Sequence, residues 1–537
     1  MCASRKAGAM ARTRILVRFV LLLACIVAPL WAQPGAQPGH LGKVDFPTSC
    51  SAGVQPLLEK GLALLHSFQY EEARQSFAAA KSQDPKCAMA HWGAAMALYH
   101  QLWDFPDPPK LKQGRDEIDK ARKLHPASAR ESGFLAAAAA FYQKNPKLSH
   151  EDRTKAYSAA MEKFHAQMPD DVEVGSFYAL TLVALGEQEV DSLNNQKKAI
   201  AILDPLFQKY PDHPGVAHYL IHAADRPELA PQGLTAARRY AAIAPDSPHA
   251  LHMPSHIFVR LGYWQDSISS NIASDASARR LAQEHKAESH YQTHAMDYLN
   301  YSYLQSGQEA KARDVIARAD HVVGASHEQR DDYRTYLASR TAIELHRWKE
   351  AAALQEPPVS VEKLDSVRWA KAMGAARTGD VTAAESSVKG LQDSVAARDA
   401  KARKEGYPAP KEKPTDLREA EAWLAFAKGQ SDAALVELRA AVAYEERNGG
   451  ESTIMPAREM LADMLAELKR SGEALAQYQT VLKNTPNRFD ALLGGARAAQ
   501  AAGNSTLAQN FYTQLAEVCP AGDRPELQEA KTYLAKK

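Results

Sequence analysis

Apolar and small residues return along this chain at helical spacing, and the helical segments themselves return at a longer interval of about thirty-four residues. The clearest instance joins HYLIHAAD (218–225) to HALHMPSH (249–256). Thirty-four residues separate His218 from His252, and His222 from His256. Side chains four apart share a helix face, so the repeat sets four imidazoles side by side on neighbouring helices. The same interval relates Ala474 to Ala508 and Tyr478 to Tyr512, with Pro486 closing the first of these two units. Near the start, Gly61, Ala73, Phe77, Ala80 and Pro85 form another unit. Its small residues let two helices approach, Phe77 fills the space before the next unit, and Pro85 cannot continue a helix.

Between these ends a small residue follows a turn at Ala199, Gly233, Ser267, Ala312, Ala351, Ala384 and Ala434. The spacing is regular at first and then widens, so some units carry insertions or longer helices. Pro211 and Pro245 close the units before the two histidine helices. The pattern predicts an all-α chain of about a dozen helix pairs. EPPVS (356–360) breaks it, and DAKARKEGYPAPKEKP (399–414) inserts a charged, proline-containing stretch. These divide the chain into an N-terminal arm (50–355), a less regular part (356–414) and a C-terminal arm (415–537), with a long loop or a hinge between the arms.

The register of small residues, Phe77 and prolines resembles the tetratricopeptide repeat over nearly all of residues 50–520, most specifically at the two ends. That resemblance implies a right-handed α-solenoid, here an exported, bacterial-type one. Its concave groove is lined by the first helix of each unit and takes a protein or peptide. It also implies which positions face the groove: His218, His222 and Asp225 in one unit, His249, His252 and His256 in the next, then His294, Asp297 and Tyr301. Tyr336 and Arg340 hold groove positions further on, where Arg340 would meet a carboxylate of a ligand or partner.

Imidazole and carboxylate together are ligands for zinc, iron, copper or nickel. The candidate metal ligands are His218, His222, Asp225, His252 and His256, with His249, His294 and Asp297 as further donors. Pro254 falls between His252 and His256 and predicts a late start or a kink in that helix. Groove histidines also meet peptides without any metal, and Asp225 has the alternative role of a cap. The residues therefore leave several readings open. One is a partner-binding repeat protein with a metal-loaded or metal-free groove. Another is a metal-dependent hydrolase or oxidoreductase with Asp225 or Asp297 as ligand or general base. The third is a metal carrier of the cell envelope.

Composition narrows the setting. Arg5, Lys6, Arg12, Arg14 and Arg18 precede the apolar run FVLLLACIVAPLWA (19–32), the pattern of a signal peptide cleaved after Ala32. Lipidation at Cys25 is the weaker variant. Removing residues 1–32 takes five basic and no acidic residues, shifting the formal charge from +1 to −4. No basic footprint for nucleic acid results, and no later segment is apolar enough to span a membrane. The mature chain is expected in the periplasm or secreted, with a flexible lead at 33–49. There, Cys50 and Cys87 would staple the N-terminal end, two buried thiols being the alternative, and Cys519 stays unpaired. HExxH, CxxC, CxxCH, Walker and GxSxG motifs are absent. GGARAAQAAG (494–503) reads as helix packing rather than a phosphate loop. Trp92, Met96, Tyr99, His100 and Trp103 read as core, and Glu459, Asp463 and Glu467 as a solvated acidic stripe.

Overall fold

A computed structural model describes residues 40–103, 105–186, 193–285, 289–404, 412–448 and 453–536. The signal segment and Cys25 lie outside these. Among the described residues all regular structure is helical, arranged as consecutive antiparallel pairs. Units one to four pair Gln55–His66 with Tyr70–Gln83, Ala88–Met96 with Pro108–Lys123, Ala129–Phe141 with His150–Gln167, and Val172–Gly186 with Asn194–Lys209. Unit five pairs Pro214–Ala224 with Ala230–Ile243; unit six pairs the broken helix Pro248–His252/Pro254–Arg260 with Trp264–His285; unit seven pairs His290–Gln305 with Glu309–Arg318. Units eight to twelve run from His327–Glu344 to Ser505–Val518, and Leu527–Ala535 closes the array.

The repeat register explains the packing. Pro85, Pro211, Pro245 and Pro486 each fall just beyond the second helix of a pair. All seven small residues that follow turns are buried. Phe77 does what its position predicts: a Cβ built on Gly61 would come within 2.8 Å of its ring, and one on Gly93 of the next unit within 2.3 Å. Gly494 leaves the same kind of room for Tyr478, so the glycines at 494–495 serve packing. The widened intervals come from long second helices, Trp264–His285 and Val381–Lys404.

One expectation changes. Residues 40–49 are not a loose lead: Phe46 is fully buried and stacks on Trp92, while the Lys43 amide donates to the Asp212 carbonyl at 2.9 Å. An apolar anchor and a backbone pair tie that stretch to units two and five. The described residues from 40 to 536 form one compact unit. The C-terminal units return onto the turns of units six and seven. Trp264 donates to the Asn487 carbonyl at 2.8 Å, and Asp523 and Arg524 donate backbone bonds to the Gly307 carbonyl.

At the centre of this closure lies Arg488, fully buried between Glu459, Glu344 and Tyr301 at 2.6–2.7 Å. Of the acidic stripe, only Glu467 is a solvated residue. Glu459 pairs with Arg488, Asp463 accepts from Tyr478, and Glu467 pairs with Arg377. At the other end Cys50 and Cys87 are bonded, with Cα atoms 4.8 Å apart. Cys519 is a buried free thiol.

Candidate metal centre

The two histidine helices begin alike because their sequences do. His213 caps the first with Pro214 at its start, and Ser247 caps the second with Pro248 at its start. The second helix then breaks at Met253, since Pro254 has no amide hydrogen to continue it. The His252 carbonyl is met by the Ser255 hydroxyl at 2.7 Å. The break leaves His249 and His252 on one short segment and His256 on the next.

These helices, with the start of His290–Gln305, gather six imidazoles into two triads. His218, His222 and His249 form one; His252, His256 and His294 form the other; within each, ligand-competent nitrogens lie within 4.8 Å of one another. The triads adjoin, with His222 and His256 ring centres 6.2 Å apart and those of His249 and His252 6.3 Å apart. His222, His256 and His294 keep partial exposure, while His218, His249 and His252 are buried.

Hydrogen bonds fix how the rings present themselves. His218 Nδ1 donates to the His66 carbonyl at 2.6 Å, so its Nε2 carries a lone pair. His252 Nδ1 donates at 2.7 Å to Asn271 Oδ1, whose own amide nitrogen is used on the Ser267 carbonyl. His256 Nδ1 donates at 2.8 Å to Asp225, an acceptor only when ionised. With both rings neutral, the Nε2 atoms of His252 and His256 therefore face each other at 3.0 Å as lone pairs. The Nε2 atoms of His218 and His249 are also 3.0 Å apart, and the buried Nε2 of His222 has no hydrogen-bond partner. Two nitrogens held about 2.0–2.1 Å from one ion lie roughly 3 Å apart. The donor set fits a transition metal on each triad.

Electrostatics point the same way. Burial, and then the neighbouring rings, lower His218, His249, His252 and His294 well below the ordinary imidazole range. His222 falls to about 3, with burial as the main cause. Neutral imidazole is the form that binds metal. Burial opposes the charge of Asp225, but Arg260 and His256 outweigh it and hold the carboxyl far below its usual range.

Several expected site residues take other places. Asp225 pairs with His256 (2.8 Å) and Arg260 (2.9 Å) and is not part of either triad. Asp297 is paired with Arg340. Arg340 is buried and bonded to Asp297, Asn300 and the Thr453 carbonyl. Tyr301 is fully buried and accepts from Arg488 at 2.7 Å. Tyr336 does line a cavity.

Other parts of the site carry no local signal. Phe68, from the turn of unit one, lies against His218, His222 and His249 with ring centres 4.4–5.6 Å away. Its φ of 54° is that of the glycines at equivalent turns, Gly262 and Gly307, a strain of about 1–2 kcal/mol for a residue with a Cβ. Trp103, read as core, stands 5.8 Å from His222. Asn271, 19 residues after His252, is one helix on and could have been sought there.

A third group, His66, Glu173 and His213, also has ligand-type atoms close together. It is complete without an ion. Glu173 accepts from His66 at 2.8 Å and from His213 at 2.9 Å; Tyr219 bonds the other His66 nitrogen, and the Val216 amide donates to the other His213 nitrogen. Burial opposes the Glu173 charge, but the two imidazoles hold its carboxyl far below the usual range. This network secures His66, and through the His66 carbonyl it aims His218.

Paired helices, inter-unit aromatics and closing prolines at fixed register decide the architecture. The chain is a tetratricopeptide-like all-α solenoid. No family model and no curated protein matches this tetratricopeptide-like chain. Among solved structures it is similar to a human IFIT1 dimer with PPP-AAAA, at 12% identity and TM-score 0.36, covering 86% of this chain and 89% of that one. A tetratricopeptide repeat protein from Parabacteroides merdae gives 12% identity and TM-score 0.30, over 54% of this chain and 98% of that one. Naa15/Naa10 bound to HypK gives 12% and 0.23, over 89% and 90%. At these values nothing about ligands passes from them to this solenoid. Among the described residues no helix is long and apolar enough to cross a membrane.

Proposed function

We propose that this solenoid binds two transition-metal ions in adjacent three-histidine sites and uses them on a ligand held in the neighbouring cavity. The carrying observation is the pair of Nε2 atoms on His252 and His256, 3.0 Å apart with both Nδ1 atoms bonded elsewhere. With both rings neutral the two facing lone pairs repel, and burial of His252 disfavours a proton on that ring. A cation bound by both removes the conflict.

Three protein donors per ion is the number found in catalytic rather than closed structural zinc sites. All-imidazole triads suit zinc, copper, iron or nickel and disfavour magnesium or calcium, which take oxygen. Copper stands highest in the affinity order. A bound ion would supply Lewis acidity and, if copper or iron, electron transfer. The chain's own residues bind and orient it: Asp225 and Asn271 hold two ring tautomers, and Phe68 and Trp103 wall off one side. The cavity adjoins this centre at His290, whose ring stacks on His294 at 5.7 Å. The Cys50–Cys87 bond and the leader at 1–32 support an exported setting, periplasmic or secreted.

The test is metal content. Untagged protein exported from a bacterial host is analysed by plasma mass spectrometry beside His222→Ala and His256→Ala. About two equivalents are expected in the wild type, with each variant losing about one and keeping its helical circular dichroism. Protein that arrives empty and takes up no zinc, copper, nickel or iron would end this reading. The cavity would then support a partner-binding repeat protein, since four successive units, seven to ten, contribute to its wall.

A further inference from the structure

The cavity beside the metal centre has a volume of about 1310 Å³, larger than the ~300–1,000 Å³ of an ordinary small-molecule site. Its wall mixes carboxylates with aromatic rings. Five acidic side chains line it, Asp332, Asp365, Asp416, Glu419 and Glu445, against two basic ones, Lys363 and Arg398. Both cations are already engaged. Lys363 lies 3.0 Å from Glu328 and 4.0 Å from Asp332; Arg398 lies 2.6 Å from Asp365 and 4.0 Å from Asp416. Glu419 and Glu445 are left as the acidic pair without a lining cation.

Glu419 is the informative member. It is 3% exposed, and while its Oε2 accepts from Trp369 at 3.0 Å, its Oε1 has no hydrogen-bond partner. A buried carboxylate oxygen without a donor is rare and costly, and calls for a missing one. Glu445 is half-spent, one oxygen accepting from the Ala457 amide at 2.7 Å. Trp369, Tyr333 and Tyr444 line the same cavity, and their rings are of the type that attracts cations. Burial, then Glu445, then Asp416, push the Glu419 carboxyl well above its usual range; a cation alongside would reverse that.

We infer that this cavity recognises a positively charged side chain, the alkylammonium or guanidinium of a basic peptide segment, by ion pairing with Glu419 and Glu445 inside an aromatic wall. The size of the cavity suits an extended peptide rather than a lone amine. The inference names the ligand class for the proposed function, but the recognition itself does not need the histidines to hold metal.

Isothermal titration calorimetry on the full chain tests it with acetyl-Ala-Ala-Lys-Ala-Ala-amide and versions carrying norleucine or glutamate in place of lysine. The lysine peptide should bind at least tenfold more tightly than the norleucine peptide, and the glutamate peptide most weakly. Glu419→Gln should remove most of that preference, and Glu445→Gln part of it, so that one variant reports if the other fails to fold. Protein stripped with a chelator should keep the preference even if metal loading fails. Equal binding of lysine and norleucine peptides, no binding of any at millimolar concentration, or a preference lost on chelation would overturn the inference.

Discussion

The backbone carbonyl of His66 accepts a hydrogen bond from Nδ1 of His218 at 2.6 Å, across 152 residues of sequence. That bond exists because the first unit coils round to touch the fifth, where Gly215 gives it room. A Cβ on Gly215 would lie 2.3 Å from His66 Nδ1. Gly215→Ala on an ordinary helix would add up to about 1 kcal/mol of stability. Here it should cost about 1–3 kcal/mol by overpacking and weaken metal uptake at the His218 triad. Urea unfolding and metal content, measured together, check both signs; a stabilised variant with full metal would contradict the packing.

Asp225 acts through His256. Its carboxylate fixes the ring so that Nε2 faces the second triad, and Arg260 holds the carboxylate. Asp225→Asn keeps the shape but removes the charge that makes the imidazole a better donor. Metal affinity should fall about 10–100-fold, the usual effect of losing an outer-sphere partner. Competition with a chromophoric chelator measures it. An unchanged affinity would mean that His256 does not ligate.

Part of this centre was legible in the sequence. The thirty-four-residue interval fixed which imidazoles share a stretch of groove, because equivalent positions of stacked units must be neighbours. His66, Phe68 and Trp103 were not legible, since their approach depends on how far the solenoid coils before unit five, which no local pattern encodes. The carboxylates misled for a related reason. Asp225 and Asp297 sit at groove positions, yet each has an arginine on the next unit's helix, Arg260 and Arg340. The acidic stripe at 459–467 read as solvated because Arg488, Tyr478 and Arg377 lie elsewhere along the chain.

His150 predicts acid sensitivity at the N-terminal end. Stacked on Phe105 at 3.6 Å, it is lowered by burial, and then by Arg153, from 6.5 to about 4. The unfolded chain takes the proton first, so the neutral ring stabilises the fold above pH 6.5. That stability is lost as pH falls from about 6.5 towards 4. The loss should approach 2–3 kcal/mol, at about 1.4 kcal/mol per unit. His150→Phe should flatten the stability–pH curve in that window; an unchanged slope would assign it to other groups.

Arg488 carries the closure of the solenoid. Its guanidinium is fully buried and meets Glu459 at 2.6 Å, Glu344 at 2.7 Å and Tyr301 at 2.7 Å, so three separate units converge on one side chain. Removing one partner of a buried ion pair costs about 3–5 kcal/mol, because the opposite charge is left unsolvated. Arg488→Met strands two carboxylates and should reach that range. It should also loosen the contact of Asp523 and Arg524 with the Gly307 carbonyl, since Phe489 and its neighbours hold that seam. Faster hydrogen exchange at the Asp523 and Arg524 amides, with little change at the disulfide-bonded end, is the expected signature. Adding Glu459→Gln to Arg488→Met should restore part of the stability by removing one stranded charge, and the double-mutant cycle reads that coupling directly. If both variants unfold like the wild type, the C-terminal units are held by apolar packing alone.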